Sequence, residues 1–186
     1  MRVWIAVEGR SDVAVVRALL PAEMLAISSL VPVGGRSNIS SVARTLLVKH
    51  KEPLAVMVDT DSLDSEAISE RYATISQLLA AVAGDTPYKV VLCIPVIEAI
   101  FFEAQGPLGR LFPKVDLDSY AMLYKTQPRE VLDLLFENGG GPKNLAKLLD
   151  GLTDKDVERL RVTGPIRQLS MFIQEVAGAV GRPSAT

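Results

Sequence analysis

The sequence has almost no cysteine or histidine and no long apolar run. Cys93 is the single cysteine and His50 the single histidine among 186 residues. A disulfide framework within the chain, a zinc site built from several cysteines and a histidine-dependent metal or triad mechanism are therefore excluded. No apolar run approaches the roughly 18 residues that a membrane span requires. We expect a cytoplasmic protein that does not associate with membranes.

A net positive charge is also missing. Twenty Lys and Arg residues stand against 22 Asp and Glu, so the formal net charge is −2. Proteins that hold nucleic acid by bulk electrostatics carry a basic surface instead. A nucleic-acid substrate would therefore need a local basic groove, an oligomer that concentrates positive charge, or a partner that delivers the substrate.

The first hundred residues alternate short β-branched runs with helical periodicity, a pattern typical of a parallel sheet with helices on its faces. We predict strands at residues 3–7, 27–33, 54–58 and 88–94. From residue 105 the strand pattern vanishes, and Gly, Pro and polar residues separate short helical stretches. The predicted fold is an α/β domain over residues 1–104, with a mainly parallel four-stranded sheet flanked by helices, and a helical C-terminal subdomain over residues 105–186 packed on it.

Two features stand out in the helical subdomain. Pro128 is expected to open a helix that runs to about Phe136, because proline suits the first turn. The glycine run at 139–142 (GGGP) is not followed by Lys-Ser or Lys-Thr, so it is not a P-loop. We interpret this run as a hinge.

Acidic residues follow two of the predicted strands. Glu8 comes directly after the first strand, and Asp59 and Asp61 come directly after the third. If the strand order is 2-1-3-4, these strands are neighbours, and the three carboxylates are expected to converge within about 5 to 8 Å. Their mutual repulsion favours a hard divalent cation, Mg²⁺ or Mn²⁺, at this edge. The alternative is that the Asp-Thr-Asp segment is only a helix-capping turn.

These segments resemble a known family. Residues 7–12 (VEGRSD) and 56–61 (VMVDTD) resemble the glutamate and D-x-D motifs of the Toprim domain. That domain occurs in type IA and II topoisomerases, bacterial primases, small ribonucleases, recombination-repair proteins and the overcoming-lysogenization-defect nucleases. Residues 34–38 (GGRSN) and 95–98 (PVIE) resemble segments of the nuclease-like branch. The resemblance covers residues 1 to about 104 and implies a Toprim-like, Rossmannoid fold.

The resemblance implies roles for four carboxylates. Glu8 would be a general acid/base or metal ligand, and Asp59 and Asp61 would hold Mg²⁺ as catalytic ligands. Glu98 is implied as a further metal ligand; its ordinary alternative is a charge that complements a helix dipole. Asp12 is expected to be a charge in the first turn of a helix.

Basic residues could contact substrate phosphates, although exposed cations are usually only solvated. Arg10 and Arg36 are expected in loops at the same edge of the sheet, where they could grip phosphate. Lys125, Lys143 and Lys147 in the helical subdomain could neutralise charge in the transition state, as lysines do in some related nucleases; the ordinary alternative is a solvent-exposed helix charge.

The function implied by the resemblance is Mg²⁺-dependent phosphoryl transfer. A topoisomerase needs a DNA gate and a primase needs a polymerising apparatus, and the chain has room for neither. The remaining prediction is a small nuclease, or a nuclease subunit, that acts on DNA or RNA in phage or plasmid defence or in repair. Because the chain contains no P-loop, we expect a partner ATPase or a homo-oligomer.

Two other functions use the same acidic residues. A non-catalytic module could bind a metal, a nucleotide or a protein at the acidic edge, because a fold does not fix a function. A response-regulator receiver also places acids at strand ends. It is disfavoured here because it requires a lysine at the end of the fourth strand, whereas Ile94 is followed directly by Pro95.

Overall fold

The computed structural model describes residues 1–104 and 106–180. Gln105 and residues 181–186 of the predicted C-terminal subdomain lie outside the described residues. The four strands are β1 (Val3–Val7), β2 (Ser28–Pro32), β3 (Leu54–Asp59) and β4 (Tyr88–Cys93). The helices are α1 (Arg10–Leu19), α2 (Ala22–Ala26), α3 (Ile39–His50), α4 (Ser65–Ala83), α5 (Ile100–Glu103), α6 (Gly106–Leu111), α7 (Ala121–Thr126), α8 (Pro128–Asn138), α9 (Leu145–Asp150), α10 (Asp154–Arg161) and α11 (Gly164–Val180). None of the helices within these ranges is both long and apolar enough to cross a membrane.

The sheet has the predicted architecture. All four strands are parallel in the order β2-β1-β3-β4, and helices cover both faces in a Rossmann-like α/β fold. Ala6 of β1 is aligned with Val31 of β2 on one side and with Val56 of β3 on the other. The first and third strands are therefore neighbours, and their carboxyl ends lie at the same edge. The strand β3 runs one residue further than predicted, because Asp59 is still in register with Cys93.

The two faces of the sheet have separate hydrophobic cores, because successive side chains along a strand point to opposite sides. One core contains Ile5, Met57 and Cys93 together with apolar residues of α1, α11 and most of the other C-terminal helices. The other contains Ala6 and Val56 together with residues of α3 and α4. The C-terminal helices thus pack directly on one face of the sheet and share its core.

The segment after β4 brings the C-terminal helices to the carboxyl edge of the sheet. It forms a short 3₁₀ turn over Ile97–Ala99 and continues into α5. The helix α8 begins at Pro128, as predicted, and packs against this turn. The first turn of α8 is therefore placed beside the ends of β3 and β4.

The glycine run at 139–142 is a close-packed segment. A Cβ atom added to Gly139 would lie 2.6 Å from a ring carbon of Phe112, and one added to Gly141 would lie 2.8 Å from the same atom. Phe112 is fully buried. Glycine is needed at 139 and 141 because the backbone passes directly over the aromatic ring. The segment is therefore tightly packed, and the interpretation of it as a hinge is not supported.

Candidate functional site

Asp59 is the buried centre of the carboxyl edge. It is the last residue of β3, and only 5% of its surface is exposed. Its Oδ1 accepts a hydrogen bond from the backbone N–H of Ile97 at 3.0 Å, and its Oδ2 accepts one from Nη2 of Arg129 at 3.2 Å. One carboxylate therefore links the end of β3 to the turn after β4 and to α8.

Glu98 and Arg129 form a two-point ion pair beside Asp59. Nε and Nη2 of Arg129 donate to the two carboxylate oxygens of Glu98 at 3.0 and 3.1 Å. Glu98 is buried, whereas half of the Arg129 side chain is exposed. The two residues line a cleft of about 640 Å³ together with Lys143. The guanidinium group is thus held by two buried carboxylates on one side and faces the cleft on the other.

Glu8 is turned towards the end of β3, as the strand order predicts. Its Oε1 accepts hydrogen bonds from the backbone N–H of Asp59 at 3.2 Å and from Nη2 of Arg71 at 3.4 Å. Nε of Arg71, which lies on α4, also donates to the backbone oxygen of Asp59 at 3.0 Å. Glu8, Asp59 and Arg71 therefore form one connected group.

Asp61 faces a different part of the edge. Its φ of 51° lies in the left-handed region, which aspartate tolerates better than most residues. Its Oδ2 accepts from Nη1 of Arg36 at 2.5 Å, and about half of each side chain is exposed. The pair lines a second concavity of about 390 Å³ between α3 and α4. The two aspartates of the Asp-Thr-Asp segment therefore have different partners: Asp61 pairs with Arg36 beside this concavity, whereas the buried Asp59 pairs with Arg129.

Asp12 also belongs to the site. The sequence predicts it only as a charge in the first turn of a helix. It lies in the first turn of α1, where its Oδ2 accepts from the backbone N–H of Gly9 at 2.9 Å. Only 5% of Asp12 is exposed, and its charge acts on Asp59. A helix-capping carboxylate thus also contributes negative charge to the site.

The site holds more negative than positive charge. Burial, followed by the charges of Asp12, Glu98 and Glu8, raises the pKa of Asp59 to about 8, and the Arg129 guanidinium only partly opposes this. Burial also raises the pKa of the Glu8 carboxyl, against the backbone N–H of Asp59 and the charge of Arg71. Among the described residues, two guanidinium groups, those of Arg71 and Arg129, form ion pairs with members of this set of four carboxylates, which leaves an excess of two negative charges when all four are ionised.

The chemistry of the donors suits a hard divalent cation, although the side chains are now paired with arginines. Carboxylate oxygens are the ligands that Mg²⁺ and Mn²⁺ accept, and the missing positive charge equals that of one such ion. Within residues 1–104 and 106–180, no group of three or more His, Cys, Asp and Glu side chains is arranged to hold a metal ion. Binding would therefore require at least one arginine to release its carboxylate.

The predicted phosphate-binding residues take different positions. Arg10 is exposed at the start of α1, and Arg36 is bonded to Asp61. Lys143 lines the cleft beside Glu98, with its Nζ 3.5 Å from the backbone oxygen of Glu137. Lys147 is mostly exposed and lies 3.5 Å from Asp150. Lys143 therefore lines the same cleft as the buried carboxylate of Glu98.

Sequence reasoning missed the two arginines that neutralise the buried carboxylates. Arg71 lies in the long helix α4, and Arg129 follows Pro128 in α8. Each is an isolated basic residue in a helix, a pattern that also describes an ordinary solvated side chain. No local signal distinguishes them, because their roles depend on which helix packs against the carboxyl edge.

Comparison of the chain with protein-family models, with curated proteins and with solved structures gives no match. Function is therefore inferred from the geometry and chemistry of this edge together with the two acidic motifs.

Proposed function

We propose that this protein is a Mg²⁺- or Mn²⁺-dependent phosphoryl-transfer enzyme that hydrolyses phosphodiester bonds in DNA or RNA. By its two acidic motifs it would be a small Toprim-like nuclease, or a nuclease subunit that works with a partner ATPase or as a homo-oligomer. A role in phage or plasmid defence or in repair remains a prediction from the resemblance.

The observation that carries the proposal is the convergence of Glu8, Asp59 and Glu98 from the ends of three parallel strands. Open α/β sheets bind ligands at this edge, where the chain order reverses. Here the reversal falls between β1 and β3, since β2 lies on one side of β1 and β3 on the other. Asp59, with a pKa of about 8, lies at this point. A strongly perturbed carboxyl group in such a place is typical of a functional site.

The residues would divide the chemistry as follows. Asp59 and Glu98 would hold the cation, with Asp61 as a ligand if it leaves Arg36. When bound, a divalent cation supplies positive charge to the oxygens on which charge develops during phosphodiester cleavage. Glu8 is the candidate general acid/base, because burial raises the pKa of its carboxyl group. Arg129, once it leaves the carboxylates, can turn its exposed side to a phosphate in the cleft.

A second candidate function is a non-catalytic binding module. The observation that favours it is that Glu8, Asp59, Asp61 and Glu98 each already contact an arginine side chain. Such a module would use the edge to bind a metal, a nucleotide or a protein without cleaving it.

Cleavage of labelled single- and double-stranded DNA and RNA, with Mg²⁺, Mn²⁺ or EDTA, tests the proposal. We expect cation-dependent cleavage that Asp59→Asn abolishes and that Glu8→Gln reduces by about 10²- to 10⁴-fold, as for loss of a general acid/base. Asp85→Asn is the matched control, because Asp85 is exposed at the opposite edge of the sheet. Its activity should equal that of the wild type. Cation binding without cleavage of any substrate would favour the binding module instead.

A further inference from the structure

The groove between α3 and α4 lies on the face of the sheet opposite to the C-terminal helices. We call it the α3 groove and define it by Ser37, Ser41, Arg44 and Lys49 on the α3 side and Leu78 and Val82 on the α4 side. Its volume is about 610 Å³. Nothing in the proposed chemistry of the carboxyl edge uses these residues.

The α3 groove is basic in a chain that is slightly acidic. From Met24 to Lys51 the sequence has no Asp or Glu and four Lys or Arg, whereas the whole chain has a net charge of −2. In the described part of the chain, no acidic side chain lines the groove. Arg44 and Lys49 are exposed, and neither forms an ion pair with a described residue. Their charge is therefore available to a ligand.

The polar side chains of the α3 groove form a line. Ser37 lies in the 3₁₀ turn before α3. Within the helix, Ser41, Thr45 and Lys49 follow one another at intervals of four residues and Arg44 comes three residues after Ser41, so these side chains lie along one side of α3. From Ser37 to Lys49 the line is about 18 Å long at 1.5 Å per residue. One strand of a duplex carries a phosphate about every 3.4 Å, so about five phosphates match this length.

The α3 groove is continuous with the carboxyl edge. Ser40 lines both the groove and the concavity that contains Arg36 and Asp61. A polymer lying along α3 would therefore reach the concavity at the carboxyl edge that Asp61 and Arg71 also line. The hydroxyl groups of Ser37, Ser40 and Ser41 make no hydrogen bond with any described residue.

We propose that the α3 groove binds the sugar–phosphate backbone of a nucleic acid and directs it to the carboxyl edge. Free serine hydroxyls beside Arg and Lys are the groups that contact phosphate oxygens in nucleic-acid complexes. No aromatic residue is among the described residues that line the groove, so bases have no stacking surface and binding is independent of sequence. This inference deepens the proposed function, on which it rests for its substrate class.

Fluorescence anisotropy of a labelled 20-nucleotide oligonucleotide, single-stranded or as a duplex, tests the groove in EDTA, where no metal-dependent cleavage occurs. We expect the double variant R44Q/K49Q to bind at least fivefold more weakly than the wild type. The slope of log affinity against log salt concentration for the single strand should become shallower by about 1.4, since two phosphate contacts are lost. The charge-matched control is K114Q/K155Q, because Lys114 and Lys155 are exposed on the C-terminal helical part. Its affinity should stay within twofold of the wild type.

Each other outcome overturns the proposal. Equal weakening by both double variants would show a bulk charge effect, and no weakening by R44Q/K49Q, or no binding by the wild type, would exclude the groove. Equally effective competition by poly-glutamate would assign it to acidic proteins. Ser41→Arg adds a positive charge to the same line of side chains and should tighten binding. This variant tests the charge dependence of binding without removing Arg44 or Lys49.

Cation-dependent hydrolysis of bis(p-nitrophenyl) phosphate, which is too small to need the groove, separates the two proposals. If R44Q/K49Q keeps this hydrolysis but loses oligonucleotide affinity, both proposals are supported. If the wild type binds the oligonucleotide as expected but never hydrolyses the small substrate, the proposed reaction fails and the groove remains a nucleic-acid surface.

Discussion

Asp59 makes the stability of the metal-free protein depend on pH. Its pKa is about 8 in the folded protein, whereas an aspartate in an unfolded chain has a pKa of about 3.9. Between these values the folded state keeps a proton that the unfolded state has released. Because the unfolded state binds fewer protons, the free energy of unfolding decreases as the pH rises through this window.

We therefore expect urea denaturation in EDTA to give a free energy of unfolding that falls between about pH 5 and pH 8. Asp59→Asn should flatten this dependence, because the amide does not titrate, whereas Asp85→Asn should leave it unchanged. A wild-type stability that rises through the same window would contradict the raised pKa.

Arg129 supplies positive charge to two carboxylates that a divalent cation would also contact, so the arginine and the cation compete. Its guanidinium group contacts both Asp59 and Glu98. Arg129→Gln should lower the free energy of unfolding of the metal-free protein by about 1–2 kcal/mol, since hydrogen bonds to buried carboxylates are lost from a half-exposed side chain. The rise in Tm on adding Mn²⁺ should be larger than in the wild type, because the competing cation is gone.

Thermal denaturation with and without Mn²⁺ measures both effects. Arg167→Gln, at an exposed position of α11, is the control and should change neither value. If Mn²⁺ shifts the Tm of Arg129→Gln and of the wild type equally, Arg129 does not compete with the cation.

Among the secondary-structure elements, the segment after α8 depends on glycine for its packing. A Cβ at Gly141 would lie 2.3 Å from the backbone oxygen of Leu111 and 2.8 Å from the ring of Phe112. Gly141→Ala should lower the free energy of unfolding by about 1–3 kcal/mol, as for overpacking of a core. Gly109→Ala in the nearby α6 meets no atom within 4 Å and should stabilise by up to about 1 kcal/mol. Equal effects of the two substitutions on urea denaturation would exclude the close approach as the cause.

The strands and the position of Glu8 could be predicted from local patterns. The β-branched runs ending in Glu8 and Asp59 define both strands and their carboxyl ends, and the parallel order then makes them neighbours. The orientation of Asp61 could not be predicted in the same way. Asp61 has a left-handed backbone conformation, which turns its side chain to Arg36. Aspartate occurs in both left-handed and right-handed conformations, so the sequence does not show which one is adopted.

The arginines of the site could not be predicted, because their roles arise from packing between distant elements. Arg129 reaches Glu98 only because α8 packs on the turn after β4, 31 residues away in the chain. Helical periodicity reports which side of α8 is apolar, but it does not report what that side packs against.

Across the protein as a whole, the buried carboxylates and the exposed cations of the α3 groove lie in different regions. The net charge of −2 suggests little attraction for nucleic acid, yet the acid-free stretch from Met24 to Lys51 is concentrated around α3. Buried carboxylates collect at the carboxyl edge, and exposed cations line the groove that leads to it. This arrangement would bring a polyanion to a cation site without a basic surface overall.

Isothermal titration calorimetry of the metal-free protein with MnCl₂ at pH 7.5, in two buffers of different ionisation enthalpy, tests the cation site most directly. We predict saturable binding that Asp59→Asn abolishes and Asp85→Asn preserves. The apparent enthalpy should differ between the buffers, because the cation displaces the proton that Asp59 holds at this pH. The absence of saturable binding, or equal binding by Asp59→Asn and the wild type, would contradict a divalent-cation site at the ends of these strands.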